Sequence, residues 1–190
     1  MNTPRTTNKG EIRRHFEMTL ERYLQELDKM SDAQLRYKPS DMEWSVGQMY
    51  QHLIQSAMKM HLANVRTCIS ADEDADKKKN QGKTEAGEAV FAQASFPPIR
   101  IHVPASPEYT PLQPDGRESI IQGLVEVRDE MRKMDLLLEG KTSECTLPHP
   151  RFGGLNADDW FILVEMHYRH HFLQLERLKT AWEEREQRDE

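Results

Sequence analysis

The stretch from Asn156 to Glu184 reads NADDWFILVEMHYRHHFLQLERLKTAWEE. Asn156 followed three residues later by Asp159 is typical of a helix N-cap with an acidic first turn. Two histidines four residues apart, His167 and His171, are flanked on both sides by large apolar residues. We therefore predict a long final helix from Asn156 to about Glu184, whose histidine-bearing face lies close to a hydrophobic core.

Other parts of the chain carry apolar residues at helical spacing and predict three earlier helices, at Glu11–Met30, at Ser45 to about Ser70, and at Arg117 or Glu118 to Gly140. Ser45 and Gln48 have the spacing of a capping box at the start of the second of these helices. The connections Ser31–Pro39 and Lys141–Leu155 are expected to be loops. Since no strand pattern is strong enough to force a sheet, we expect an all-α four-helix bundle.

The segment from Ala71 to Pro114 interrupts this helical pattern. It contains a charged run, Asp72 to Lys79, and six prolines. We expect it to be a long loop insertion between helices two and three, of a kind that is often a functional lid or a mobile segment. Its apolar half, Val90 to Val103, is expected to pack on the bundle or on a partner subunit, where it can cover the histidines. Its charged half, Asp72 to Lys83, is expected to be mobile.

Composition limits the possible functions. The chain has 190 residues, which suits a single domain spanning 1–190. Its 26 basic residues against 32 acidic ones give a net charge of −6, which argues against nucleic acid as a partner. Cys68 and Cys145 form no C-x-x-C pair, so a reducing compartment fits best. No apolar stretch suits a signal peptide or a membrane span, and we expect a cytoplasmic protein with no membrane partner.

The pair His167 and His171 can chelate one metal ion. Residues four apart lie on the same face of a helix, so both imidazoles can reach a single ion without distorting the backbone. The alternative is a pair of polar surface residues. The apolar surroundings favour an inward-facing pair, because buried imidazoles need a polar or metal partner.

His52 in helix two is the expected third ligand. Nine residues separate it from His61, and about 100° per residue places the two on roughly opposite helix faces. Because Met49 and Leu53 accompany His52, we assign His52 to the interior and interpret His61 as a solvated or bridging histidine. The same geometry turns His170 away from the ion, either exposed or behind the ligands.

Three nitrogen ligands leave at least one coordination position for water or substrate, which is what distinguishes a catalytic site from a closed structural one. The sequence has no Glu-x-x-His motif of the kind found in di-iron carboxylate bundles. It also lacks H-E-x-x-H, a glycine-rich phosphate loop and G-x-S-x-G. The pattern therefore favours a single metal ion held by three histidines.

Three blocks of sequence together resemble the DinB-like superfamily, which includes YfiT-type metal-dependent hydrolases. These blocks are Trp44-Ser45-Val46-Gly47-Gln48 leading into His52, His149-Pro150-Arg151-Phe152-Gly153 leading into Leu155, and His167-x-x-x-His171-x-x-Gln174 with Arg177-Leu178. The resemblance extends from about Glu11 to Trp182. It does not cover the 71–114 insertion.

The resemblance implies a bundle with up-down-down-up connectivity, a homodimer, and a site for zinc, nickel or a similar divalent ion at His52, His167 and His171. Its characterised members include thiol-dependent transferases and isomerases that use bacillithiol, mycothiol or glutathione. No DNA chemistry is implied. On this basis we expect a divalent metal cofactor, a low-molecular-weight thiol as cosubstrate, and a small electrophilic molecule as substrate.

Five further residues are candidates for the pocket or for orienting the ligands. Trp44 either forms a pocket wall or staples the entry to helix two. Gln48 and Gln174 either orient a ligand or are ordinary surface glutamines. His149 and Arg151, in the loop before the last helix, either meet a carboxylate or thiolate of the substrate or are simply solvated.

Two classes of function follow from this site. The first is an enzyme, a metal-dependent S-transferase or hydrolase in which the ion activates a thiol or water toward a small electrophile. The alternative is a non-catalytic metal-binding bundle that acts as a sensor or an interaction module. An open coordination position beside a pocket favours the enzyme, whereas a filled fourth position or a collapsed pocket favours the alternative.

Overall fold

The computed structural model describes residues 9–72, 81–98 and 110–189, and almost all regular structure in these ranges is helical. The helices are α1 (Lys9–Asp28), α2 (Asp32–Arg36), α3 (Val46–Gln55), a π-helical segment (Ser56–His61), α4 (Leu62–Asp72), α5 (Glu85–Gln93), α6 (Arg117–Leu138) and α7 (Ala157–Asp189). Two short strands, β1 (Leu147–His149) and β2 (Gly153–Leu155), form an antiparallel hairpin. The all-α class is confirmed.

Both predicted helix starts at capping residues are confirmed. The Ser45 hydroxyl accepts a hydrogen bond from the Gln48 backbone N–H, and the Gln48 side chain accepts one from the Ser45 backbone N–H. Asn156 and Asp159 exchange the same pair of bonds at the start of α7, at 2.9 Å and 3.2 Å. These reciprocal bonds satisfy N–H groups that have no partner within the helix, and so fix where α3 and α7 begin.

Buried tyrosines hold α1, α3 and α7 in register. The Tyr23 hydroxyl on α1 donates to the backbone carbonyl of Tyr168 on α7, and the Tyr50 hydroxyl on α3 donates to the carbonyl of Tyr23, both at 2.8 Å. All three tyrosine side chains are fully buried. Each bond joins a side chain to the backbone of another helix. Together the two bonds fix the position of α3 along its axis relative to α7, at the level of the predicted ligands.

A π-helical segment, Ser56–His61, interrupts the second long helix between α3 and α4. A π-helix bonds residue i to residue i+5, so each turn takes about one residue more than an α-helical turn. Residues after this segment therefore lie about 100° behind the positions that a continuous α-helix would give them. This shift changes the face on which His61 lies.

Three connections expected to be loops contain regular structure. Residues 32–36 form the short helix α2, capped by Ser31. The 71–114 insertion contains α5, capped by the Thr84 hydroxyl, which accepts from the Gly87 backbone N–H at 3.1 Å. Residues 147–155 form the hairpin. The expectation of a structureless insertion is thus corrected: α5 is short and preceded by polar residues, and its position depends on contacts with the distant hairpin.

The insertion pairs with the hairpin at residues 81–84. The Gly154 backbone N–H donates to the Gly82 carbonyl, and the Thr84 backbone N–H donates to the Phe152 carbonyl, both at 2.9 Å. The Lys83 ammonium lies 2.7 Å from the Asp159 carboxylate. The expected mobility of Asp72–Lys83 is therefore corrected for Gly82 and Lys83, which form two of these contacts, whereas residues 73–80 lie outside the described part of the chain.

The apolar half of the insertion packs on the bundle where it is described. Val90 is 8% exposed and belongs to the hydrophobic core, and the partly buried Phe91 and Phe96 pack against this core. Their rings also contact Phe152 of the hairpin, with centroids 6.4 Å and 5.7 Å away. This agrees with the expected docking of Val90–Val103 as far as Pro98. Residues 99–103 lie outside the described ranges.

We expect Gly87→Ala to loosen α5 from the hairpin. A Cβ at residue 87 would stand 2.4 Å from the Phe152 carbonyl oxygen, a backbone atom. Overpacking of this kind costs about 1–3 kcal/mol, which outweighs the gain of about 1 kcal/mol that alanine brings to a helix. Hydrogen exchange at residues 85–93 should accelerate. Gly82→Ala is the matched control, because no described atom lies within 4 Å of its added Cβ; equal exchange rates in both variants would contradict the prediction.

Among the described residues, no helix combines the length and the apolar composition needed to cross a lipid bilayer.

Candidate metal centre

Three histidine side chains converge between α3 and α7. His52 lies in α3, and His167 and His171 lie one turn apart in α7. The Nε2 atom of His167 is 3.1 Å from Nε2 of His52 and 3.0 Å from Nε2 of His171. One nitrogen from each ring lies within 4.8 Å of the other two, an arrangement that could hold a metal ion.

Polar neighbours orient two of these rings from behind. The Nδ1 atom of His171 lies 2.7 Å from Oε1 of Gln174, so Nδ1–H donates to the amide oxygen and Nε2 keeps its lone pair. The Nδ1 atom of His52 lies 3.4 Å from the Ser56 hydroxyl. Gln174, one of the two glutamines considered from the sequence, is therefore in contact with a histidine of the cluster. A partner on the far nitrogen is a common feature of metal-binding histidines.

Burial keeps the imidazoles of this cluster neutral. It lowers the pKa of His52 to about 4 and, together with the neighbouring His52, that of His171 to about 3. Burial and the adjacent histidines lower the pKa of His167 well below its ordinary value. A neutral imidazole has the free lone pair that a metal ligand requires, so the rings need not lose a proton to bind an ion near neutral pH.

The spacing of the nitrogens also suits a small divalent ion. Two ligands that each lie about 2.0–2.1 Å from a tetrahedral zinc are about 3.3–3.4 Å apart. The two observed Nε2–Nε2 distances of 3.1 Å and 3.0 Å are within a few tenths of an ångström of this value. Imidazole nitrogen is a donor that suits zinc and nickel, so the residues present fit such an ion.

His61 lies beside this cluster, and of its two interpretations, solvated or bridging, the solvated one is corrected. Its side chain is 2% exposed, and its ring centroid is 5.3 Å from that of His167 and 5.9 Å from that of Trp160. The opposite-face argument assumed regular α-helix from His52 onward, whereas the π-helical segment returns residue 61 toward the interior. Burial, with His149 and His52 nearby, lowers the pKa of His61 to about 3.

Trp44 and Gln48, the two candidates at the start of α3, have different surroundings. The Trp44 ring lies against His52, with centroids 5.1 Å apart. The Gln48 side chain accepts from Ser45 N–H and donates to the Pro111 carbonyl at 2.8 Å. Gln48 therefore anchors the end of the insertion to α3, and the idea that it orients His52 is corrected because both ends of its amide contact backbone groups.

The two hairpin candidates differ in burial and in contacts. His149 is half-buried, stacks on Phe152 at 4.4 Å and lies 5.5 Å from Trp160. Its Nδ1 accepts backbone N–H bonds from Arg151 and Phe152 at 3.1 Å and 3.2 Å, which is a turn-forming role. Arg151 is exposed, and its carbonyl accepts from the Thr84 hydroxyl at 2.8 Å.

Phe96, which follows α5, contacts the α7 histidines and was not proposed individually from the sequence. Its ring centroid lies 5.3 Å from that of His170 and 6.4 Å from that of His167. Arg169 fixes this approach, since its guanidinium donates to the Ala94 carbonyl at 2.6 Å and to the Glu165 carboxylate at 2.9 Å. The apolar patch around Phe96 was the sequence feature from which this contact could have been predicted. The position of His170, beside Phe96, was not apparent from helix periodicity.

No curated protein and no solved structure matches this chain. The model of the DinB superfamily matches residues 15–175, a range that begins in α1 and includes His52, His167 and His171. Because the match covers most of the 190 residues, the chain belongs to the DinB superfamily.

Proposed function

We propose that this protein is a metal-dependent enzyme, a thiol-dependent S-transferase or a hydrolase, that acts on a small electrophilic molecule. The observation that carries the proposal is the convergence of three neutral imidazoles, with Nε2–Nε2 distances of 3.1 Å and 3.0 Å. His52, His167 and His171 would hold a divalent ion, zinc or nickel by ligand type. When bound, such an ion supplies Lewis acidity that favours the ionised form of a thiol or of water.

The number of ligands favours catalysis over a purely structural site. Within the described ranges, the cluster that could hold an ion consists of three histidines. Structural zinc sites are almost always closed by four protein ligands, whereas catalytic sites keep a position for water or substrate. The three imidazoles can therefore bind an ion and still leave room for a reacting molecule.

Aromatic side chains beside the histidines suit a substrate with an apolar part. Trp44 contacts His52 from the α3 side, and Phe96 contacts His170 and His167 from the insertion. Such rings exclude water and pack against apolar groups. We infer that Trp44 and Phe96 bind the carbon skeleton of the electrophile, with the insertion acting as a cover over the reacting groups.

A screen of untagged, metal-loaded protein tests the proposal. Glutathione, bacillithiol and mycothiol would each be paired with a chromogenic aryl halide and with an epoxide, and thiol-free reactions would test hydrolysis. We expect turnover with at least one pair, and its loss after chelation or in His167→Ala. Stoichiometric metal without turnover in any reaction would instead support the non-catalytic metal-binding alternative.

The homodimer implied by the family remains a prediction, which the molecular mass in solution would test.

A further inference from the structure

Three buried nitrogen atoms next to the metal centre have no hydrogen-bond partner among the described residues. They are Nδ1 of His61, Nε1 of Trp160 and Nδ1 of His167. Trp160 is 0% exposed and His61 is 2% exposed. A buried polar atom without a partner is unfavourable, so three such atoms in neighbouring rings need an explanation.

The His61 ring is next to the other two rings that carry these atoms. The His61 ring centroid is 5.9 Å from that of Trp160 and 5.3 Å from that of His167. A single water that bonds two nitrogens at about 2.9 Å each can join atoms up to about 5.8 Å apart. The spacing of the His61 ring from each of the other two rings is compatible with one small molecule that bridges them.

We propose that a buried water molecule lies between His61, Trp160 and His167, and that His61 and Trp160 position the metal ligand His167 through it. Trp160 Nε1–H only donates, so the occupant must accept a bond. When Nε2 of His167 binds an ion, its Nδ1 carries the proton and also donates. Water accepts both of these bonds and donates to Nδ1 of His61, and buried waters typically make about three such bonds.

Water also suits His167 both with and without a bound ion. Its Nε2 lies 3.1 Å and 3.0 Å from the Nε2 atoms of His52 and His171. Without an ion, one proton between these nitrogens relieves the repulsion of their lone pairs, and His167 can supply it from Nε2. Its Nδ1 is then an acceptor, whereas ion binding makes Nδ1 a donor. A water can turn to serve either state, but a fixed carbonyl or amide group could serve only one.

In this role His61 and Trp160 are positioning residues. The inference rests on the proposed function only in the experiments that measure metal affinity. The partner on the far nitrogen of a metal-binding histidine typically changes metal affinity 10–100-fold. We expect His61→Phe to weaken zinc binding by roughly tenfold or more, since the phenyl ring cannot bond the water. His61→Asn should restore most of the affinity, because its amide places polar atoms near the position of Nδ1.

Tyr168→Phe is the matched control. The Tyr168 hydroxyl is another buried atom without a partner in the described ranges, and it lies on the same helix. Its ring, however, packs on Phe16 and Tyr23 at 5.0 Å and 5.9 Å, on the side of α1. Tyr168→Phe should therefore leave zinc affinity unchanged, whereas Trp160→Phe should lower it. Competition titration with a chromophoric chelator measures all four variants.

A high-resolution crystal structure of the metal-free protein provides the direct test. Electron density for a water within hydrogen-bond distance of His61 Nδ1, Trp160 Nε1 and His167 Nδ1 would support the buried water even if the protein failed to bind metal, in which case the proposed function and the positioning role would fall. A dry space between the rings would overturn it. Zinc affinities in His61→Phe and Trp160→Phe equal to that of the parent would overturn the positioning role.

Discussion

The His167→Ala/His171→Ala double variant is expected to bind zinc at least about 10⁴-fold more weakly than the parent protein. Structural zinc sites with four ligands are stabilised by about 10–16 kcal/mol, or roughly 2.5–4 kcal/mol per ligand. Removal of two ligands then costs about 5–8 kcal/mol, and each 1.4 kcal/mol is a tenfold change. Equilibrium dialysis of untagged protein, followed by metal analysis, measures the loss.

His170→Ala is the matched control for this loss. His170 lies on the same helix between the two proposed ligands, but its ring faces Phe96 and its nitrogens are not among those that cluster with His52. It should therefore retain zinc at the level of the parent. Full metal occupancy in the double variant would show that the ion binds elsewhere in the chain.

Acidification of the metal-free protein is expected to remove much of its stability between pH 6.5 and about 4. Burial lowers the pKa of His52 to about 4 and those of His61 and His171 to about 3, from an ordinary value of 6.5. Over this pH range these histidines therefore bind protons in the unfolded chain, whereas in the folded protein they stay largely neutral. Each depressed pKa contributes stability that is present above pH 6.5 and is lost as the pH falls toward the folded-state pKa.

The size of this effect follows from the same values. At pH 5, a histidine with a folded-state pKa of about 4 or lower costs about 2 kcal/mol relative to neutral pH, so these three together cost about 6 kcal/mol. Domains of this kind are stable by only about 5–15 kcal/mol. Urea unfolding from pH 7 to pH 4.5, with a chelator present, measures the loss.

Two variants define what this pH dependence should look like. His61→Phe should flatten the profile, because it removes one buried imidazole that must be neutral. His15→Gln, which removes an exposed histidine on α1, is the matched control for the loss of one histidine. A free energy of unfolding that stays constant from pH 7 to pH 5 would mean that the histidines are accessible to protons in the folded protein.

Features set by neighbouring residues could be predicted from the sequence. The capping pairs Ser45/Gln48 and Asn156/Asp159 act within one turn of helix, so their spacing alone located the starts of α3 and α7. Gly140 follows α6 with a φ of +67°, a left-handed conformation that glycine adopts without strain. Helix periodicity then brought His167 and His171 to one face.

Features that depend on distant contacts could not be predicted in this way. The hairpin strands have three residues each, one with a proline and one with two glycines, and lack an alternating pattern. Helix α5 is docked by backbone bonds from residues 82–84 to residues 152–154. Thr84, followed by two acidic residues in the first turn, was a signal for this helix, but one too short to decide without the hairpin.

The π-helical segment affects how this chain should be aligned with its relatives. A member of the family with a regular α-helix in this place is expected to be one residue shorter between His52 and α4. An ungapped alignment would then pair His61 with a residue on the outer surface of that helix. A single gap placed within residues 56–61 would pair it with the inward-facing residue beside the three-histidine cluster. The number of residues across this stretch therefore decides which residue of a relative corresponds to His61.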